Sequence, residues 1–88
     1  MVEIRWNEVK NEIVKRDRGV SFEDVAAMIQ AHQELDILPH PSRPNQKIIV
    51  VRLRGYMRAV PFVEEADGIF LKTIYPNRDL QIQYGGLP

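Results

Sequence analysis

The stretch that decides the fold is "KIIVVRLRGYMRAVPFVEE", residues 47–65. Apolar and β-branched residues fill both halves of this stretch, which is typical of strands. Arg54-Gly55 between the halves fits a two-residue turn, because glycine readily adopts the positive φ that tight hairpins need. A hairpin with this turn predicts three opposed pairs on one face: Leu53 and Tyr56, Val51 and Arg58, Ile49 and Val60. Both faces are partly apolar, so we expect helices on one and a semi-polar or partner-binding surface on the other.

The strand pattern extends on both sides of this hairpin. Residues 66–68 (Ala-Asp-Gly) predict a second turn, and "IFLKTIY", residues 69–75, predicts a third antiparallel strand. Upstream, a short strand is expected at Glu3–Trp6, and the alternation around Ile37 predicts another that stops at Pro39. "PHPSRPNQ", residues 39–46, holds three prolines and is expected to form a loop or a bulged edge.

Two helices are predicted near the N-terminus. Asn7 is a suitable N-cap for a first helix that ends before Gly19, with an apolar stripe of Val9, Ile13 and Val14. Ser21 predicts the start of a second helix at Phe22, with a shortened capping box formed by Asp24. The apolar spacing of Phe22, Val25, Ala26 and Ile29 favours one buried face on this helix. Residues 79–88, "DLQIQYGGLP", show no such stripe and predict a short turn and a loose tail.

Length and composition predict one α+β domain over residues 1–88, with two N-terminal helices packed on an antiparallel sheet. The chain has no cysteine, which excludes disulfides and thiolate chemistry and fits a cytoplasmic location. No run is apolar enough to span a membrane, and the N-terminus shows no signal sequence. Two histidines without a ligand-like pattern predict no metal, and no motif predicts a cofactor. Twelve basic and twelve acidic residues balance, so net charge alone does not favour a polyanion as ligand.

The order of these segments resembles a known family. "IRWNEVKNEIVKRDRGVSFEDV", residues 4–25, followed by a strand meander and by Pro76-Asn77-Arg78, resembles the BrnT-type toxins of the RelE/ParE superfamily. The resemblance implies a RelE-like fold and a metal-independent ribonuclease that cleaves RNA when free. It also implies a small DNA-binding antitoxin as partner, with operator DNA bound only through the toxin–antitoxin complex.

Metal-independent RNA cleavage needs an acid, a base and fixed cations. The predicted catalytic residues are His40, Lys72 and Arg78, and the predicted RNA-binding residues are Lys10, Arg18, Tyr56, Arg58 and Tyr84. The pattern leaves open which sheet face carries Lys72. Each candidate also has a structural interpretation: solvation for Lys72, Arg78 and Lys10, a turn cap for His40, and cross-strand packing for Tyr56.

A second hypothesis is a catalytically inactive RelE-like module that only binds a protein partner. Two departures from the family's pattern favour it, namely Arg18 where relatives commonly have a histidine, and a net charge of zero in a family whose toxins are usually basic. Growth of a host that expresses the gene alone would separate the two hypotheses.

Overall fold

The computed structural model describes residues 3–85, so Met1, Val2 and the last three residues of the predicted tail lie outside the described part. The elements follow in this order: β1 (Glu3–Trp6), α1 (Glu8–Arg18), α2 (Phe22–Gln30), β2 (Asp36–Pro39), β3 (Lys47–Leu53), β4 (Tyr56–Glu65), β5 (Gly68–Leu71), β6 (Tyr75–Pro76) and α3 (Arg78–Tyr84). Within residues 3–85, none of the helices is both long and apolar enough to cross a membrane.

The described strands form one mixed sheet with the order β1-β5-β4-β3-β2, and β6 pairs with the first part of β4. Strands β3, β4 and β5 form the expected antiparallel meander. β1 instead pairs in parallel with β5, with Glu3 opposite Gly68. The prediction of a purely antiparallel sheet is therefore wrong, because the long connection from α1 to β4 lies between β1 and β5 and allows the two strands to run in the same direction.

The predicted hairpin between β3 and β4 is confirmed. Leu53 lies opposite Tyr56, and the register continues along both strands as predicted. Arg54 and Gly55 have φ angles of 52° and 74°. Two successive positive φ angles belong to the type I′ turn, whose twist matches that of the paired strands.

Helices α1 and α2 cover one side of the sheet, which we call the first face. Here Val14, Phe22 and Val25 of the helices pack on sheet residues that include Val51 and Val60. All five side chains are almost fully buried, and each such burial contributes on the order of 1.5–3 kcal/mol. The cap of α2 is confirmed, since Ser21 Oγ accepts from Asp24 N and Asp24 Oδ2 accepts from Ser21 N.

The predicted apolar stripe of α1 is only partly correct. Asn7 caps the helix and Gly19 ends it at φ 69° as expected. Val14 is buried, but Val9 is 71% exposed and Ile13 is 37% exposed. The buried polar residue Asn11 lies against α2, so the inward side of α1 is rotated away from Val9.

Helix α3 covers the second face of the sheet. Its Leu80 packs on Val50, Met57 and Ala59, so the apolar residues on this side of the hairpin are buried. The prediction of a loose tail after Arg78 is wrong for residues 79–84. A seven-residue helix has little stability of its own, and here it forms because it docks on a sheet that is apolar on both faces.

Gly68 differs from the turn glycine that the sequence predicts. Its φ is not in the positive range, unlike those of Gly19 and Gly55. A Cβ atom at residue 68 would instead lie 1.9 Å from the carbonyl oxygen of Glu3 on the neighbouring strand. Glycine is required here by the close approach of β1, and the turn that precedes β5 does not need its flexibility.

Candidate functional site

Three arginines lie around the segment 74–78, where the chain leaves β5, pairs briefly as β6 and begins α3. Arg18, at the end of α1, donates through Nη1 to the carbonyl oxygen of Ile74 at 2.5 Å. Arg58 of β4 lies opposite Pro76 in the β4–β6 pairing. Arg78 is the first residue of α3. We call Arg18, Arg58 and Arg78 the arginine cluster.

Local hydrogen bonds fix the start of α3 at Arg78. Asn77 caps α3, with its Oδ1 accepting from Leu80 N at 3.0 Å, and its own N–H donates to the carbonyl oxygen of Met57 at 3.2 Å. Gln81 Oε1 accepts from Met57 N at 2.9 Å. The start of α3 is thus tied to β4 next to Arg58.

Arg58 has an unused hydrogen-bond donor. Its side chain is half-buried, and its Nε is buried with no hydrogen-bond partner among the described residues. Leaving a buried donor unpaired costs about 1–3 kcal/mol, and more when the group is charged. A bound anion would supply the missing acceptor if the Arg58 side chain turned to present Nε to it.

The chain as a whole is neutral, but basic and acidic side chains lie at opposite ends of β4. Within residues 3–85, no carboxylate forms an ion pair with any member of the arginine cluster. The other end of β4 carries Glu64 and Glu65, which pair with Lys47 and Arg5, and Arg5 also pairs with Asp67. Hydrogen bonds to Asp67, Glu65 and Glu3 hold the pKa of Arg5 above its usual value. Six residues of strand, about 20 Å, separate Arg58 from Glu64.

Tyr56 shares the first face with Arg58, because the two residues are two positions apart on β4. It lies beside the hairpin turn and is half-buried. Its ring therefore adds an aromatic surface next to the arginine cluster, as the predicted role in RNA binding requires.

Two predicted catalytic residues lie elsewhere. Lys72 follows β5 on the second face, where its Nζ lies 5.4 Å from the centre of the Phe70 ring. Arg58 is on the first face, so the sheet separates the two side chains. His40 follows β2, and its Nδ1 accepts from the backbone N–H groups of Ser42 and Arg43, both at 3.1 Å.

The position of His40 along the sheet is also distant from the arginine cluster. His40 N donates to the carbonyl oxygen of Gln46, just before β3, whereas Arg58 lies opposite Val51 of β3. Five residues of strand correspond to about 17 Å, and β2 is two strands away from β4. Arg18, Arg58 and Arg78 each adjoin the segment 74–78. His40 lies far from this segment, and Lys72 precedes it with its side chain on the second face.

The remaining predicted RNA-binding residues are also apart from the cluster. Lys10 lies in the first turn of α1, eight residues or about 12 Å before Arg18. Tyr84 lies in the last turn of α3, where its hydroxyl donates to Asp36 Oδ2 at 2.7 Å. This bond lowers the pKa of Asp36 and raises that of Tyr84, since it favours the carboxylate and the neutral phenol.

The described residues contain no group of three histidine, aspartate or glutamate side chains that could hold a metal ion. Comparison with protein-family models, with curated proteins and with solved structures gave no match.

Proposed function

We propose that this protein is a metal-independent endoribonuclease, the toxin of a toxin–antitoxin pair that acts in the cytoplasm, and that the arginine cluster holds its RNA substrate. The observation that carries the proposal is that Arg18, Arg58 and Arg78 all adjoin the segment 74–78 and form no ion pair with a carboxylate of residues 3–85. Arginine suits this role because its planar guanidinium can bind phosphate oxygens through two parallel hydrogen bonds.

The cluster also accounts for affinity in a neutral protein. Attraction to phosphate depends on the cations placed near it, and the carboxylates of Glu64, Glu65 and Asp67 are paired at the opposite end of β4. Zero net charge is therefore compatible with binding of an anionic chain at the cluster. Tyr56 offers a stacking surface for a base beside the bound phosphate.

In the proposed reaction the 2′-hydroxyl attacks the adjacent phosphorus and the bond to the 5′-oxygen breaks. A base takes the proton of the 2′-hydroxyl, and an acid gives a proton to the departing 5′-oxygen. Negative charge grows on the non-bridging oxygens, where Arg58 and Arg78 stabilise it. The proposal rests on the arginine cluster, and the catalytic roles first predicted for His40 and Lys72 would need these side chains to approach it.

The resemblance to BrnT-type toxins adds the RelE-like assignment of the fold and the partner to this proposal. The chain runs as strand, two helices and antiparallel meander, as the resemblance implies. The proposed partner is a small DNA-binding antitoxin that covers the arginine cluster. Operator DNA would be bound only through the complex of the two proteins.

The test uses single-stranded RNA labelled at its 5′ end, in excess chelator. We expect wild-type protein to cleave it, and Arg58→Ala and Arg78→Ala to lose cleavage by roughly 100-fold, the usual scale for one group that stabilises transition-state charge. Arg43→Ala is the matched control, since Arg43 lies in the loop after β2. Equal cleavage by Arg43→Ala and the two cluster variants, at equal folding, would contradict the proposal.

Binding can be measured separately from cleavage. For single strands, each phosphate neutralised by the protein adds about 0.7 to the magnitude of the slope of log affinity against log salt concentration. We expect Arg58→Ala to reduce the slope magnitude by about 0.7, and Arg43→Ala to leave it unchanged. An unchanged slope in Arg58→Ala would remove Arg58 from the phosphate site.

A second candidate function is a protein-binding module without catalysis. The distance of His40 and Lys72 from the arginine cluster favours it, because neither then supplies the acid or the base. Expression of the gene alone separates the candidates, since a ribonuclease arrests growth of the host and a binding module does not.

A further inference from the structure

A groove of about 230 Å³ opens on the first face, beyond the end of α2 and at the opposite end of the hairpin from the arginine cluster. Ile49 and Phe62, both nearly buried, lie at its bottom. Ile29 and Ile69 line its sides, and Ile37, 51% exposed, forms the wall on edge strand β2. The sequence did not predict this groove, because its residues come from a helix, a loop and four different strands.

The rim of the groove carries two carboxylates and one cation. Glu34, Glu64 and Lys47 lie along it, and Lys47 Nζ pairs with Glu64 at 2.9 Å. The remaining carboxylate is that of Glu34, whose Oε2 is buried without a hydrogen-bond partner among the described residues. A buried carboxylate oxygen without a donor is costly. The groove thus combines an apolar floor with one unsatisfied anionic acceptor.

We propose that this groove binds an arginine or lysine side chain of a protein partner. The aliphatic stem would lie on Ile49 and Phe62, and the cationic end would pair with the carboxylate of Glu34, whose buried Oε2 would turn toward the cation. Charge complementarity selects a cation and argues against RNA, whose phosphates the rim would repel.

Size and surroundings indicate a protein segment as the source of that cation. Pockets for drug-sized molecules occupy about 300–1,000 Å³, so this groove is small for one and suits a single long side chain. Leu35, 48% exposed, and Ile37 extend the apolar surface beyond the groove. Apolar residues flanking the cation would cover them.

The partner would bind through side chains and would not add a strand to β2. The N–H of Ile37 already donates to Asp36 Oδ1 at 2.8 Å, and Pro39 has no N–H. An edge strand blunted in this way offers few donors for backbone pairing. Recognition therefore depends on the groove.

The experiment follows the isoleucine methyl groups of the wild-type protein by NMR during titration with Ac-Leu-Arg-Leu-NH₂ at millimolar concentration. We expect shifts at Ile29, Ile37 and Ile69, and none at Ile82, which is exposed on α3. The matched peptide carries citrulline, which has the shape of arginine but no charge. It should bind roughly tenfold more weakly, since a charge-assisted hydrogen bond is lost.

Variants then test the two parts of the groove. Glu34→Gln should weaken binding of the arginine peptide roughly tenfold without loss of thermal stability, whereas Glu12→Gln, which removes an exposed carboxylate of α1, should not. Ile37→Ser changes only an exposed wall and should also weaken binding. Absence of groove shifts with the arginine peptide, equal binding of the citrulline peptide, or unchanged binding by Glu34→Gln would each overturn the proposal. These outcomes are independent of RNA cleavage.

Discussion

The hydroxyl of Tyr84 donates a 2.7 Å hydrogen bond to Oδ2 of Asp36, which joins the last turn of α3 to edge strand β2. Oδ1 of the same carboxylate accepts from Ile37 N at 2.8 Å. The Asp36 carboxylate therefore holds α3 on the second face and accepts a hydrogen bond from a backbone N–H of edge strand β2.

This bond predicts a pH-dependent contribution to stability. The pKa of Asp36 is lowered by Tyr84, so its contribution is present above the ordinary aspartate value of about 3.9 and is lost as pH falls through the lower folded-state pKa. The pKa of Tyr84 is raised by Asp36, so its contribution is present below about 10 and is lost as pH rises through the higher folded-state pKa. We expect Tyr84→Phe to lower Tm by a few degrees near neutral pH and by less at both extremes. A Tm difference that is constant across pH would contradict this assignment.

Asn11 is polar and fully buried, so we expect its substitution to change the free energy of unfolding strongly. Its Oδ1 accepts from Phe22 N at 2.9 Å, and its Nδ2 donates to Glu23 at 2.8 Å and to Glu8 at 3.3 Å. Asn11→Leu leaves the Phe22 N–H buried and unpaired, so the free energy of unfolding should fall by about 1–3 kcal/mol.

Two further variants make the Asn11 measurement specific. Asn11→Asp keeps the acceptor but places a third carboxylate beside Glu8 and Glu23, so its destabilisation should be larger at neutral than at acidic pH. The exposed control Val9→Ala should change stability by less than about 0.5 kcal/mol. Urea denaturation measures the free energy of unfolding of all three variants. If Asn11→Leu leaves this free energy unchanged, the buried hydrogen bonds do not stabilise the helix pair.

Substitution of Gly68 should disturb the local pairing of β1 with β5, whereas substitution of Gly19 should not. Gly68→Ala forces a Cβ atom against the Glu3 carbonyl, so we expect a loss of about 1–3 kcal/mol and fast hydrogen exchange of β1 amides such as that of Trp6. Gly19 has open space around its Cβ position but a φ of 69°, so Gly19→Asn should be tolerated. Protection of β1 that survives in Gly68→Ala would show that the two strands accommodate the methyl group without losing their pairing.

His40 has a structural role that can be tested apart from catalysis. Its Nδ1 accepts from Ser42 N and Arg43 N, as a side-chain oxygen of asparagine can do in a turn. We therefore expect His40→Asn to keep both stability and RNA cleavage, and His40→Ala to lower Tm modestly. If His40→Asn folds normally but no longer cleaves RNA, the predicted catalytic role of His40 holds and the turn cap is secondary.

Local signals in the sequence were sufficient for the hairpin and for two helix starts. Arg54-Gly55 fixes the β3–β4 register through turn geometry, and Ser21 with Asp24 fixes the start of α2. Both depend on residues that are neighbours in the chain, where propensity and hydrogen bonding act directly.

The features that the sequence did not predict depend on contacts between distant segments. α3 has one well-buried apolar residue, Leu80, and an exposed Ile82, so no amphipathic pattern marks it. Asn11 occupies a buried position that periodicity assigns to apolar residues. The arginine cluster forms only because β6 pairs with β4 beside the end of α1.

The parallel pairing of β1 with β5 has a consequence for synthesis on the ribosome. Glu3 finds its partner only at Gly68, so the first strand waits until most of the chain has left the exit tunnel. Such long-range closure is slow compared with forming the local hairpin. Arg78 follows Gly68 in the chain, so under the proposed function a nascent chain would not cleave the RNA around it before β1 can pair.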